Sequence, residues 1–156
     1  MNKFTPDIIH QLKDNEIFVF GSNAQGLHNK GSALTAKKLF GAIQGKSTGL
    51  QGRSYGICTK AHWKLKRSIP LSDITNQLLE LANVCKSMPN TTFYLTKIGC
   101  NNAGYTEKEI AECLFNALFF SITSTPTIKC IPPNLIIPED FYIILNQIDD
   151  SWKEQW

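Results

Sequence analysis

At two places in this chain a short apolar run, rich in β-branched and aromatic residues, gives way to small and polar residues with a helical pattern directly behind them. Ile17-Phe18-Val19-Phe20 runs into Gly21-Ser22-Asn23-Ala24-Gln25-Gly26 and on to Lys30-Gly31-Ser32-Ala33. Leu34, Ala36, Leu39 and Phe40, with Lys37 and Lys38 between them, then fit a helix that opens after Gly31 and closes at Gly41. Thr92-Phe93-Tyr94-Leu95-Thr96 likewise runs into Lys97-Ile98-Gly99-Cys100-Asn101-Asn102-Ala103-Gly104-Tyr105, and a second helix follows. Strands alternating with helices predict an α/β fold with a mostly parallel or mixed sheet covered on both faces. In such sheets ligands bind beyond the carboxyl ends of the strands, where both small-residue loops fall.

Between these units, Gln44 to Arg53 carries Gly45, Gly49 and Gly52 among polar residues and reads as a flexible loop. Ser54-Tyr55-Gly56-Ile57-Cys58-Thr59 reads as a strand with Lys60 at its end. Pro70 and Ser72-Asp73 set up a helix whose apolar face is Ile74, Leu78, Leu79, Leu81, Ala82 and Cys85, ending near Met88-Pro89-Asn90. Thr106 with Glu109 is a capping-box pattern in front of the apolar run Ile110 to Ser121. Beyond Thr123, four prolines break the chain into short pieces; Ile128 to Ile131 is the expected last strand, and Pro138 opens a short helix through Phe141 and Leu145. The tail from Ile148 is expected at the surface, with Trp152 and Trp156 capping the protein's own core rather than docking a partner.

A covered sheet needs a core, and 42% hydrophobic against 19% charged residues over 156 positions supplies one for a single domain, 1–156. No stretch reaches the roughly 18 apolar residues of a membrane helix, and Met1 to Asp14 is mixed polar, so a cytoplasmic protein is expected. Five scattered cysteines without CxxC spacing, and His10, His28 and His62 far apart, point to no disulfide framework, no metal and no cofactor. The charge of +3 is too mild for a dedicated nucleic-acid binder. Its one concentration, Lys60, His62, Lys64, Lys66 and Arg67 around Trp63, reads either as a solvated loop or as an anion-facing rim.

The first loop ends at a helix N-terminus, where free amides and the positive end of the dipole favour a phosphate and glycines admit it closely. It matches neither GxGxxG nor GxxxxGK[ST]. Asn23 is suited to bond a ribose hydroxyl. The second loop adds further backbone donors on the same sheet edge, and two such loops together suit a diphosphate. Asn101 and Asn102 read equally as ligand donors or as turn residues. Lys60 reads as a surface lysine, a contact to an anionic edge, or a nucleophile if burial depresses its pKa. Cys100 has no histidine nearby in sequence to activate it, and Tyr105 either stacks on a ring or packs on the helix behind it.

In this order, IFVFGSN (17–23), KGSA (30–33), SYGICTK (54–60) and TKIGCNNAGY (96–105) resemble macrodomain-like proteins of bacteria and phages. They are more distantly similar to macrodomains that act as terminal ADP-ribose protein glycohydrolases. The resemblance runs from about Glu16 to Leu145 and includes Ile137-Pro138-Glu139-Asp140-Phe141. It implies a three-layer α/β/α macrodomain-like fold whose cleft binds ADP-ribose or a related NAD-derived nucleotide, free or carried by an ADP-ribosylated macromolecule. Asn23 matches the final asparagine of the family's first-strand motif, Gly31-Ser32-Ala33 its phosphate loop and Ile98-Gly99-Cys100 the start of its second loop; together with the loop reading above, ligand contacts are expected from Gly21, Ser22, Asn23, Lys30, Gly31, Ser32, Ala33 and Thr59, and from Ile98, Gly99, Cys100, Asn101, Asn102, Ala103, Gly104 and Tyr105. Lys60 falls on the lysine that attacks the ribose carbon in the glycohydrolase branch. Where that branch has a second-loop aspartate this chain has Ala103, and where other hydrolytic macrodomains have a first-loop aspartate it has Ala33. The acid–base half of that chemistry is therefore missing from the matched positions. Other α/β nucleotide enzymes, such as nucleoside-phosphate glycosidases, open on a similar strand-to-glycine turn. They add a glycine-rich loop with a downstream glutamate that has no match here.

Overall fold

The computed structural model describes residues 3–119 and 131–148. Among them the elements run β1 (Glu16–Asn23), α1 (Gly31–Leu39), β2 (Gly49–Gln51), β3 (Ser54–Lys60), α2 (Leu71–Ser87), β4 (Thr92–Leu95), α3 (Glu107–Phe119), β5 (Leu135–Ile136) and α4 (Glu139–Ile148). The strands form one mixed sheet in the order β2-β3-β1-β4-β5. β1 lies at its centre, parallel to β3 from Phe18 opposite Ser54 and parallel to β4 from Glu16 opposite Thr92. A strand buried on both faces reads as a continuous apolar run, and the alternation of β1 shows how it is shared. Ile17 and Val19 enter a large core built with α2, α3 and α4; Phe18 and Phe20 enter a smaller one with Ala33, Ala36 and Phe40 on the α1 side. Helices thus cover both faces, giving three layers.

The capping box holds. The Thr106 amide donates to Glu109 Oε1 at 3.0 Å and the Glu109 amide donates to Thr106 Oγ1 at 3.1 Å, so α3 starts where the sequence places it. At the C-terminal end of α2, Asn134 Nδ2 shares its two N–H groups among the carbonyls of Cys85, Met88 and Thr91 and so ties the chain before β5 to the turn that ends the helix.

Two expectations change. The stretch expected as a flexible loop, 44–53, contains the edge strand β2, antiparallel to β3 with Leu50 opposite Tyr55. The described strand nearest the end of the chain is β5, not the expected 128–131; residues 128–130 lie outside the described residues, and Ile131 is buried but outside any strand. The tail beyond Ile148, with Trp152 and Trp156, also lies outside them.

Candidate functional site

Because β3 and β4 both run parallel to β1, all three strands deliver their carboxyl ends to one edge of the sheet. There the pairing of β1 with β3 shifts register between Ser22 and Asn23, so Asn23 lies opposite Lys60. Such bulges re-aim side chains where a ladder ends. A cavity of about 940 Å³ opens at this edge, within the size range of ligand sites. Its wall takes in Gly21, Ser22, Asn23, Lys30, Gly31, Ser32 and Ala33 from the first loop. Thr59 and Lys60 come from β3, and Ile98, Gly99, Asn101, Asn102 and Ala103 from the second loop.

The two loops touch. A methyl group built on Gly21 would lie 3.4 Å from the Gly99 nitrogen, and one on Gly31 would lie 3.2 Å from Asn102 Nδ2. Gly31 and Gly99 adopt φ of 57° and 74°, where an L side chain is strained. Lys30 precedes α1 in an extended conformation without a side-chain cap, and no acidic residue occupies the first turn. Among the described residues the amides of Gly31, Ser32 and Ala33 have no hydrogen-bond acceptor, and neither have those of Gly99, Asn101, Asn102 and Ala103. Two sets of open donors therefore border one hollow, the arrangement that suits an anion with several oxygens.

Several side chains that face this hollow are already occupied. Asn23 Oδ1 accepts from the Leu27 amide at 2.9 Å while its Nδ2 donates to the Leu27 carbonyl at 3.0 Å, which closes the loop 23–27 on itself. Ser22 Oγ donates to the Ser47 carbonyl and Thr59 Oγ1 donates to the Ser22 carbonyl at 3.2 Å. Behind the loop, His28 is fully buried, with Nε2 donating to the Lys46 carbonyl at 3.0 Å and its ring edge-to-face on Phe20. These residues shape the first loop and leave its backbone amides as the open donors.

Lys60 sits on the wall with Nζ donating to the Trp63 carbonyl at 2.6 Å. Burial, then the ammonium groups of Lys30 and Lys66, hold its pKa below the ordinary lysine value. Lys64, Lys66, Lys97 and Trp63 also line the cavity, whereas Asp7 is the one carboxylate on its wall among the described residues. Of these lysines only Lys97 has acidic partners there, Glu107 at 3.1 Å and Asp140. Its pKa is raised, foremost by the Asp140 hydrogen bond. The wall is thus basic, with an apolar side formed by Phe18, Ile8, Ile9 and Leu39.

Three residues expected to meet a ligand are not on the wall. Tyr105 is buried, its hydroxyl donating to the Ile69 carbonyl and accepting from the Ile69 amide at 3.0 Å. Cys100 points away, with Sγ donating to the Ile98 carbonyl and burial pushing its pKa up to about 12, so no thiolate faces the cleft. Gly104 lies under Lys66, 3.3 Å from its Cβ when a methyl is built on the glycine. Conversely, the segment 5–10 and Lys97 line the cavity without any sequence signal for it. The basic stretch, visible in the sequence as a patch, is held in place by Arg67, which at φ 47° donates its amide to the Ala103 carbonyl and pairs with Glu109 at 2.7 and 2.8 Å. That pins the stretch against the second loop and at the cavity mouth.

No protein-family model and no curated protein matches the chain. Among solved structures it is similar to the macrodomain of Mycobacterium tuberculosis DarG, with a TM-score of 0.58 and 18% identity over 86% of this chain and 95% of that one. The likeness is one of fold: this chain has a three-layer α/β/α macrodomain-like architecture.

Proposed function

We propose that a protein with this macrodomain-like fold binds ADP-ribose or a related NAD-derived nucleotide in the cavity between its two glycine-rich loops. The observation that carries the reading is the meeting of Gly21 with Gly99 and of Gly31 with Asn102, with open amides of both loops around one basic hollow. A diphosphate supplies the oxygens those amides need, the lysines supply countercharge, and the apolar wall offers a surface to a base. An ADP-ribosylated macromolecule would present the same nucleotide. Among the described residues no helix is long and apolar enough to cross a membrane. Isothermal titration with ADP-ribose, NAD and cyclic ADP-ribose tests the reading: at least one binds with micromolar affinity, and no heat with any of them at millimolar concentration sinks it.

A second reading, ADP-ribosyl hydrolysis with Lys60 as nucleophile, draws on its place in the cavity and its lowered pKa. Against it stand the bond from Nζ to Trp63 and the alanines at the two matched aspartate positions, which leave Asp7 as the wall's carboxylate. Loss of turnover with retained ADP-ribose binding in Lys60→Ala would favour this reading; unchanged turnover would exclude the mechanism.

A further inference from the structure

Residues 6–11 cross the edge of the cavity as an unsupported length of chain. At one end Thr5 is tied to β5 and the residue after it, its hydroxyl donating to Ile136 at 3.1 Å and its amide to Ile137 at 2.9 Å. At the other, the Leu12 carbonyl accepts from Arg53 Nη1 at 2.9 Å and the Lys13 amide donates to Glu16 at 2.8 Å. Between these anchors no residue makes a hydrogen bond to the rest of the described protein, and Ile9 alone packs on the small core. The segment borders two hollows: Pro6, Ile8, Ile9 and His10 line the large cavity and also a second one of about 340 Å³. A length of chain with no hydrogen bonds to break and open space beside it moves at little energetic expense.

We propose that this segment is a strap that closes over the bound molecule, with Ile8 as the residue that meets it and selects ligands carrying a flat apolar group. Ile8 is 70% exposed, yet it lies on the cavity wall with Leu39, itself 47% exposed. An isoleucine left this open gains by covering apolar surface, and the face of a nucleobase on the Leu39 side supplies it. The open amides and lysines serve the anionic part of a ligand, and they do not distinguish one phosphate compound from another. Closure by Ile8 would add that discrimination. The proposal rests on the large cavity being the ligand site.

The test follows the Ile8 δ1-methyl signal by NMR, identified by its loss in Ile8→Val, with a soluble gadolinium chelate reporting its exposure. Saturating ADP-ribose is expected to lower that paramagnetic relaxation several-fold. Ile8→Ser is expected to weaken ADP-ribose binding about tenfold, chiefly through faster dissociation. Ile43→Ser, at an isoleucine 53% exposed and off the wall, is expected to leave binding unchanged. If wild type binds ADP-ribose while the methyl stays exposed and Ile8→Ser binds equally well, the strap is overturned and the cavity reading stands. Where NAD or cyclic ADP-ribose binds in place of ADP-ribose, the same measurements are made with that ligand; if wild type binds none of the three, both fall.

Discussion

Gly21→Ala should separate binding from folding at the point where the two loops meet. Gly21 is not among the positive-φ residues, so alanine takes its backbone without strain. The new methyl would lie 3.3 Å from Thr59 Oγ1, 3.4 Å from the Gly99 nitrogen and 3.6 Å from Ile98 Cα. The shortest contact asks the Thr59 hydroxyl to yield a few tenths of an ångström. Against that, alanine in a strand gains about 0.5–1 kcal/mol over glycine by restricting the unfolded chain. The unfolding midpoint should therefore stay within about 3 °C of wild type. Binding should not. The methyl sits over the Gly99 amide, and losing one hydrogen bond to an anionic oxygen costs about 1.5–3 kcal/mol, or roughly tenfold to a hundredfold in Kd. Thermal melting by circular dichroism and titration with ADP-ribose measure the two effects on the same preparation. Gly26→Ala provides the opposite case: at φ 68° its methyl would lie 2.4 Å from the Gly45 carbonyl carbon and 2.6 Å from the Lys46 nitrogen, so the backbone must move. That variant should lose more than about 2 kcal/mol of stability. A folded Gly21→Ala that binds within twofold of wild type would show that the Gly99 amide does not face the ligand.

Two further outcomes concern charge. The folded protein disfavours the ammonium form of Lys60, so that group opposes stability at low pH and its opposition fades as pH rises through the lowered pKa. Lys66→Met removes one of the causes and should raise the Lys60 pKa toward 10.5 in a 13Cε NMR titration; an unchanged titration would mean that Lys66 does not act on it. Glu109 is held at about 2, first by the Arg67 hydrogen bond and then by the Thr106 amide, so its contribution is present above the ordinary carboxylate value and lost as pH falls from 4.5 toward 2. Urea titrations across that window should show a steeper acid loss for wild type than for Glu109→Gln, which keeps an acceptor for Thr106; parallel curves would rule out the ion pair as the source.

The position of the cavity between the two loops was legible and its full lining was not, for reasons that particular residues make clear. The run Ile17 to Phe20 announces a strand buried on both faces, and the small residues after it and after Leu95 announce where two strands stop. Parallel pairing of both neighbours with β1 then brings those stops to one edge, and crossover helices leave little other choice. Short edge strands carry no such pattern: β2 is three residues with a glycine, and β5 is two residues held between Asn134 and Pro138. Within the second loop, the direction of each side chain is decided by segments distant in sequence. Tyr105 is drawn inward by the Ile69 backbone, and Cys100 turns to the carbonyl of Ile98. The wall itself recruits residues 5–10 and Trp63, Lys64 and Lys66, whose presence depends on a Thr5 anchor to β5 and an Arg67 anchor to the second loop. Local pattern can place a loop at the end of a strand, but only the assembled sheet determines which remote segments wall it in. That is why the two small-residue loops could be placed at one sheet edge and the basic patch noted from sequence, while the presence of residues 5–10 and Lys97 on the cavity wall could not.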